Sequence, residues 1–369
     1  MRFSTIFHDT PTWNVLLTVT GLGTALMSAI FAITKTDLKH LTAYSTVSHL
    51  GWIVAAIGIG TPLALAAALT HTLAHALFKS SLFMLIGVID HETGTRDMRR
   101  LGKLYDKMPW TFGSVIVAAA SMAAVPPLFG FVSKESILEA FHESPYGTVL
   151  LVLAGLAAFL TFVYSAKIVF GAFVDGERDM SEVHEAPVSF WLPAAFPGLM
   201  SVPAVFVLSL IDGPITAGVN AIIPDADYHS HLALWHGITA PFIVSMLVLI
   251  AGVAFIFFRK PVWKALENKQ LLPFTGNDVL AGIVDRSRDL GMFFGKMAGT
   301  FNPSKHLVWL IVTTLGLGVV TLLLTDGIDG VPLAPRTEGL DNYWDILPLA
   351  IIGISVLGLV LTKKLSLIH

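Results

Sequence analysis

Thr70-His71-Thr72-Leu73-Ala74-His75-Ala76-Leu77-Phe78-Lys79 stands in the middle of an apolar run from Pro62 to Ile89. His71, His75 and Lys79 are spaced i, i+4, i+8, which at about 100° per residue places all three on one stripe of an α-helix. The run is long enough to cross a bilayer, so three ionisable groups would stand in hydrocarbon on a single face. A lysine at such a position costs roughly 2.5–3.5 kcal/mol on insertion scales, and something must offset it. Two offsets are open. In one, a polar path inside a helix bundle uses these groups as stepping stones for protons; histidine, with an unperturbed pKa of about 6.5, suits that task. In the other, the histidines hydrogen-bond across helices and Lys79 snorkels to an interface. Lys79 lies roughly two turns short of Gly87, too deep for an easy escape, which favours the path.

The composition places the whole chain in a membrane. Of 369 residues, 54% are hydrophobic and only 13% charged, against roughly 25% charged in soluble domains, and the mean hydropathy is +0.73. A net charge of -3 without a basic cluster excludes a nucleic-acid partner. Cysteine is absent, which removes disulfides, thiol catalysis and cysteine-ligated metals. Polar Asp9-Thr10-Pro11 follows closely on the N-terminus, so no cleavable signal peptide is evident.

Reading for apolar runs of about 17–25 residues predicts an all-α polytopic transmembrane bundle of about nine spans. They are Trp13–Thr34, Leu38–Ile59, Pro62–Ile89, Trp110–Val132, Val149–Val174, Val188–Ile211, His236–Phe258, His306–Thr325 and Ile346–Leu361. Lysine and arginine gather in alternate connections: Lys35 and Lys39; Arg96, Arg99, Arg100, Lys103 and Lys107; Arg178; the segment from Arg259 to Lys305; Lys363 and Lys364. The connections between them, such as Gly60–Pro62 and Asp212–Leu234, are poor in both. The bias puts the N-terminus outside and the C-terminus in the cytoplasm of a cell membrane.

Further polar residues fall on the same spans. Thr36 or Asp37 can cap the second helix, on which Ser45, Ser48, His49 and Trp52 share a face. Alone, His49 would read as an interhelical hydrogen-bonder; beside the His71 stripe it is also a relay candidate. Pro126-Pro127 predicts a break in the fourth span, and Lys134 follows within about two turns of it. Broken helices survive at membrane depth only where freed backbone groups face protein or water, which suits Lys134 as the outer end of a path. The alternative is a Ser133-capped helix with a Lys134/Glu135 surface pair. Lys167 in the fifth span is expected to snorkel, and Pro193, Pro197 and Pro203 to kink the sixth. Asp90-His91-Glu92 reads as a solvated loop rather than a metal site. Small residues at Gly21, Gly23, Ala25 and Ser28 should let a neighbouring helix approach closely. Val279, Ile283, Leu290, Phe293 and Phe294 among charges suggest an amphipathic helix. No nucleotide or phosphate fingerprint is present.

With these residues in hand, the chain resembles the antiporter-like subunits shared by Mrp-type cation/proton antiporters and respiratory complex I. Three segments carry the likeness: Thr36–Lys39 with Ala43–Gly51, His71–Lys79, and Gly130-Phe131-Val132-Ser133-Lys134-Glu135. Two more, His184-Glu185-Ala186-Pro187 and Leu234-Trp235-His236-Gly237, look like the large A-type subunit of Mrp antiporters. The resemblance implies that His71, His75 and Lys79 line a central proton path, with Lys134 near its exit on the broken helix. His49 stands where relatives often carry glutamine.

It further implies that residues 1–175 form the C-terminal half of a channel domain, and that 176–369 add spanning helices and a cytoplasmic amphipathic segment. Family members carry more helices before the Tyr44 motif, holding a glutamate and a lysine. A longer chain or a separate one is expected to supply them, and this chain alone is not expected to transport. The implied function is a non-enzymatic subunit of a sodium (or other monovalent cation)/proton antiporter, without cofactor. It would work with other membrane subunits, the lipid bilayer, protons and Na+. The alternative is the proton-pumping subunit of a NADH:quinone oxidoreductase-type complex. No carboxylate cluster deep in a span stands out as a sodium site, so a metal position is unassigned.

Overall fold

The computed structural model describes residues 3–7, 10–235, 237–267, 269, 276–298, 303–324, 350–352 and 354. It divides into two units, Met1–Leu271 and Leu272–His369. The first contains α1 (Ser4–Phe7), α2 (Pro11–Thr34), α3 (Leu38–Ile59), α4 (Pro62–Thr93), α5 (Pro109–Met122), α6 (Phe129–His142), α7 (Gly147–Phe173), α8 (Val188–Leu199), α9 (Leu208–Ile222) and α10 (Ala240–Leu266). The second contains α11 (Gly276–Ala298) and α12 (Pro303–Leu324). Among the described residues, six stretches are long and apolar enough to span a membrane: α2, α3, α4, α7, Pro203–Ile222 and α10. The expected ninth span, Ile346–Leu361, lies mostly outside the described residues.

Local chemistry sets the helix starts. Asp37 caps α3 by accepting from the His40 amide at 2.9 Å, and Thr61 caps α4 by accepting from Ala64 at 3.2 Å, with Pro62 at the first helical position. α4 runs on to Thr93, so Asp90-His91-Glu92 is the last turn of a helix and not a loop. Among the described residues no group of three metal-ligating side chains forms.

α2 and α3 pack backbone to backbone. A Cβ on Gly21 would stand 2.4 Å from the Ala55 amide nitrogen, and one on Gly51 2.6 Å from that of Ala25. Small residues thus permit the approach, as expected for helices in lipid. Gly23 is the exception, with nothing within 4 Å of its missing Cβ.

Two crossings of the bundle are broken, and the breaks meet. α5 ends at Met122 and α6 begins at Phe129, bracketing the expected break at Pro126. α8 and α9 run end to end along α4: Gly198 abuts Ser81 and Ala118, whereas Ile215 and Val219 pack with Leu65 and Ala66. The interruption between them spans residues 200–207. The Phe129 amide donates to Ser201 O at 3.0 Å, the Gly130 amide to Ser121 Oγ at 3.2 Å, and Ser121 and Ser201 hydroxyls meet at 2.9 Å. The two breaks therefore satisfy each other's backbone, the condition for irregular chain inside hydrocarbon. One expectation is corrected: helix continues through Asp212 to Ile222 instead of giving way to a loop.

Within the first unit, the basic connections around Lys35, Arg96–Lys107 and Arg178 and the residue Arg259 share one end, its basic end. Met98 N donates to Thr36 O and Leu38 N to Arg96 O, each at 3.0 Å, and Leu104 N donates to Phe173 O at 3.0 Å. A β-bridge pairs Gly102 with Arg178, and Arg259, about two turns before the end of α10, grips Asp175 with two bonds of 2.9 and 2.7 Å. Glu185 seals this end by capping α5, accepting from Trp110 N at 2.7 Å and the Thr111 hydroxyl at 2.6 Å; a carboxylate suits a helix N-terminus.

In the second unit, α11 carries Val279, Ile283, Leu290, Phe293 and Phe294 exposed among charges, and the predicted helix is present there.

Candidate proton path

The stripe on α4 turns into the bundle as its spacing predicts. His71 and Lys79 are buried, and His75 half-buried. On α3, Ser45, Ser48, His49 and Trp52 are all fully buried, so the predicted face exists and meets the stripe. His49 Nδ1 lies 3.0 Å from His71 Nε2, and His71 Nδ1 lies 3.1 Å from Ser133 Oγ on α6. Ser133 in turn donates to Gly130 O at 3.1 Å.

This last bond polarises the row. With the Ser133 proton on Gly130, His71 Nδ1–H must donate to Ser133, which leaves its Nε2 to accept from His49 Nδ1–H. The far nitrogen of His49, Nε2, is then an acceptor, and it has no partner among the described residues. A proton delivered there can be passed on as His49 releases its Nδ1 proton to His71, the shuttle chemistry of imidazole.

His75 is adjacent, its ring centroid 5.7 Å from that of His49. Phe78 fills the space between the three imidazoles, with centroids 5.0, 6.3 and 5.6 Å from His49, His71 and His75. Lys79 reaches α3, donating to the Ser45 hydroxyl and, at 3.4 Å, to Thr42 O. Lys134 is buried just past the break; its Nζ contacts Met122 O, a carbonyl freed at the end of α5, at 3.4 Å and lies 5.5 Å from the centre of the Trp52 ring. That placement supplies a cation–π contact. Glu135 accepts from Ser245 on α10 at 2.6 Å.

All five predicted residues thus fall on three adjacent helices. His49 and His71 touch directly, Ser133 links His71 to the helix that carries Lys134, and Ser45 anchors Lys79 to the helix that carries His49. Ser133, a helix cap in the alternative reading, is instead the partner of His71, and one expectation changes. Lys167 does not snorkel: it is 5% exposed and donates to Ile33 O at 2.6 Å. Phe78 and Tyr164, whose ring stands edge-on to His49 at 6.4 Å, also border the row; neither is legible in sequence, because an aromatic at helical spacing carries no signal beyond packing.

Apolar helices enclosing a row of histidines between two buried lysines define a multi-pass membrane protein with an ionisable interior. Residues 1–161 match the family described as NADH:quinone oxidoreductase/Mrp antiporter, TM. Residues 1–161 belong to that family. It is 36% identical over 343 residues to a probable K+/H+ antiporter A/B-type subunit of Rhizobium meliloti, covering 88% of this chain and 33% of the relative. It is 32% identical over 323 residues to the A-type subunit of the Na+/H+ antiporter of Alkalihalophilus pseudofirmus, covering 78% of this chain and 40% of the relative. The Mrp complex structure from Dietzia sp. DQ12-45-1b superposes with a TM-score of 0.72 at 38% identity, over 96% of this chain and 38% of that one. The chain therefore spans between a third and two fifths of the length of these relatives.

Proposed function

We propose that this chain is the proton-conducting part of an A-type subunit in a multisubunit monovalent cation/proton antiporter. The observation that carries the reading is the hydrogen-bonded row His49–His71–Ser133, flanked by Lys79 and Lys134. Protons move along this row while other parts of the complex move the cation; one relative is described for K+ and another for Na+. The partners are further membrane subunits and the segment that completes the channel half formed by residues 1–175. The basic end faces the cytoplasm of the cell membrane, following the lysine and arginine bias, with the N-terminus of this chain outside. The chain contributes transport and no enzymatic step.

The test uses the complete complex in sealed vesicles with an imposed proton gradient. Adding Na+ or K+ should dissipate the gradient in wild type and fail to do so in Lys79→Ala and Lys79→Arg, with equal assembly. Full cation-dependent dissipation in both variants would return the stripe to helix packing. A wild-type complex indifferent to cations that pumps protons when given an electron donor would assign the chain to a redox-driven complex.

A further inference from the structure

The row of ionisable groups stops at Lys79, short of water at the basic end. A third buried lysine lies between. Lys167 sits on α7, and its Nζ is 2.6 Å from Ile33 O in the last turn of α2. It also forms part of the wall of a cavity of about 380 Å3 at the basic end, which is lined by Arg99, Asp175, Glu177, Lys264 and Glu267 among others. At about 30 Å3 of liquid volume per water, this cavity has room for several water molecules. Its charges are mixed: Asp175 is gripped by Arg259, Glu267 lies 3.5 Å from Arg99 and within electrostatic reach of Lys167, and Glu177 is exposed at the rim.

Two further polar groups border the histidine row from the helices that meet here. Thr42, in the second turn of α3, accepts Lys79 on its carbonyl, while its buried hydroxyl has no partner among the described residues. One turn along α7 from Lys167, Tyr164 stands edge-on to His49 with its hydroxyl 3.2 Å from that of Thr161. Lys167 thus lines the cavity on one side, and one turn along the same helix Tyr164 borders the histidine row.

A purely structural role is also defined by these contacts: a cation at the C-terminus of α2 complements its exposed carbonyls. That role needs only positive charge, which arginine supplies. Proton exchange needs a group that can lose its proton, which arginine does not.

Resting on the antiporter function, we propose that Lys167 is the residue through which the path exchanges protons with water in the cavity at the basic end. The test compares Lys167→Arg, Lys167→Met and Lys79→Arg in the assembled complex in vesicles. Both Lys167 variants should assemble normally yet transport at least about tenfold more slowly, on the scale of losing a positioned proton-transfer group. A second measurement needs no change in the buried region. Glu177→Cys introduces a single thiol into this cysteine-free chain at the exposed rim. A bulky membrane-impermeant thiol reagent, added from the basic end, should then block transport in the variant and not in wild type.

Wild-type transport by Lys167→Arg, or undiminished transport after complete labelling of Glu177→Cys, would overturn the proposal. If Lys79→Arg were inactive in the same preparation, the antiporter reading would stand without this route. If Lys79→Arg were active too, both would fall.

Discussion

His49 and His71, on neighbouring helices, are joined nitrogen to nitrogen at 3.0 Å, and His71 passes the bond on to Ser133. A glutamine at position 49 would preserve the size and one hydrogen bond of the residue but could not relay a proton. Because the family the chain resembles often carries glutamine at this position, His49→Gln is expected to keep assembly and to slow cation-driven proton movement by about tenfold at most, below the range typical of a lost proton-transfer group. Vesicle assays on matched amounts of complex check this. Unaltered rates would mean that protons pass through His71 and His75 without the α3 histidine.

Gly130 seats the broken crossing against its neighbour. A Cβ there would stand 1.8 Å from Ser121 O, and both of those segments are backbone, so neither can swing aside. Gly130→Ala should force the α5–α6 break apart and separate the Ser121–Ser201 pair. We expect the complex to lose several degrees or more of thermal stability, or to fail to assemble, in line with overpacking costs of about 1–3 kcal/mol or above. Thermal melts followed by co-purification of the partner subunits read this out; a normal melting temperature would show that the break has room to shift.

What sequence alone makes legible divides along a physical line. The stripe of His71, His75 and Lys79, its inward direction and the break near Pro126 follow from helical spacing, proline stereochemistry and the cost of charge in lipid. All are local properties. The role of Ser133 is not local: its partner is 62 residues away in sequence, and a serine before a lysine looks like a cap. Asp212 looks like the end of a span because it is acidic. In the fold its carboxylate is satisfied by the Ser230 hydroxyl at 2.9 Å and the Leu232 amide at 2.8 Å, so the helix runs through it. Long side chains near span ends ordinarily reach for solvent, as expected of Lys167, but the carbonyl end of α2 offers it a partner inside.

Asp97 makes the lock at the basic end pH-sensitive. Hydrogen bonds from the Arg99 guanidinium hold its carboxyl below the ordinary carboxylate range. A depressed value means that the stabilisation is present above the unfolded-state value of about 3.9 and is lost as pH falls through the folded-state value. Between pH 5 and 8 the bridge between residues 37 and 97 should be insensitive to pH. Below about pH 4 the protection of the Leu38 and Met98 amides, which donate across that bridge, should fall in hydrogen exchange. In Asp97→Asn protection should be lower at all pH values and should lack the acid step. An identical acid step in both proteins would assign the transition to another carboxylate.

Ser133→Ala tests the polarity of the histidine row. The hydroxyl lies 3.1 Å from His71 Nδ1 and donates to Gly130 O; with that donation His71 Nδ1–H is its partner, and removing the hydroxyl leaves a buried imidazole N–H facing a methyl group. An unsatisfied buried donor costs roughly 1–3 kcal/mol, so stability should fall by that order. The neutral ring can escape the cost by moving its proton to Nε2, but it then confronts the Nδ1–H of His49, and the two donors must part or exchange tautomers together. The row would lose its fixed direction. We therefore expect Ser133→Ala to slow proton movement more than its modest loss of stability explains, and Ser133→Thr, which keeps the hydroxyl, to restore most of the rate. Nitrogen-15 chemical shifts of the histidine side chains give the tautomers directly. Finding His71 with its proton on Nδ1 in wild type and on Nε2 in Ser133→Ala would establish the mechanism. The same tautomer in both would show that some other group sets the direction of the row.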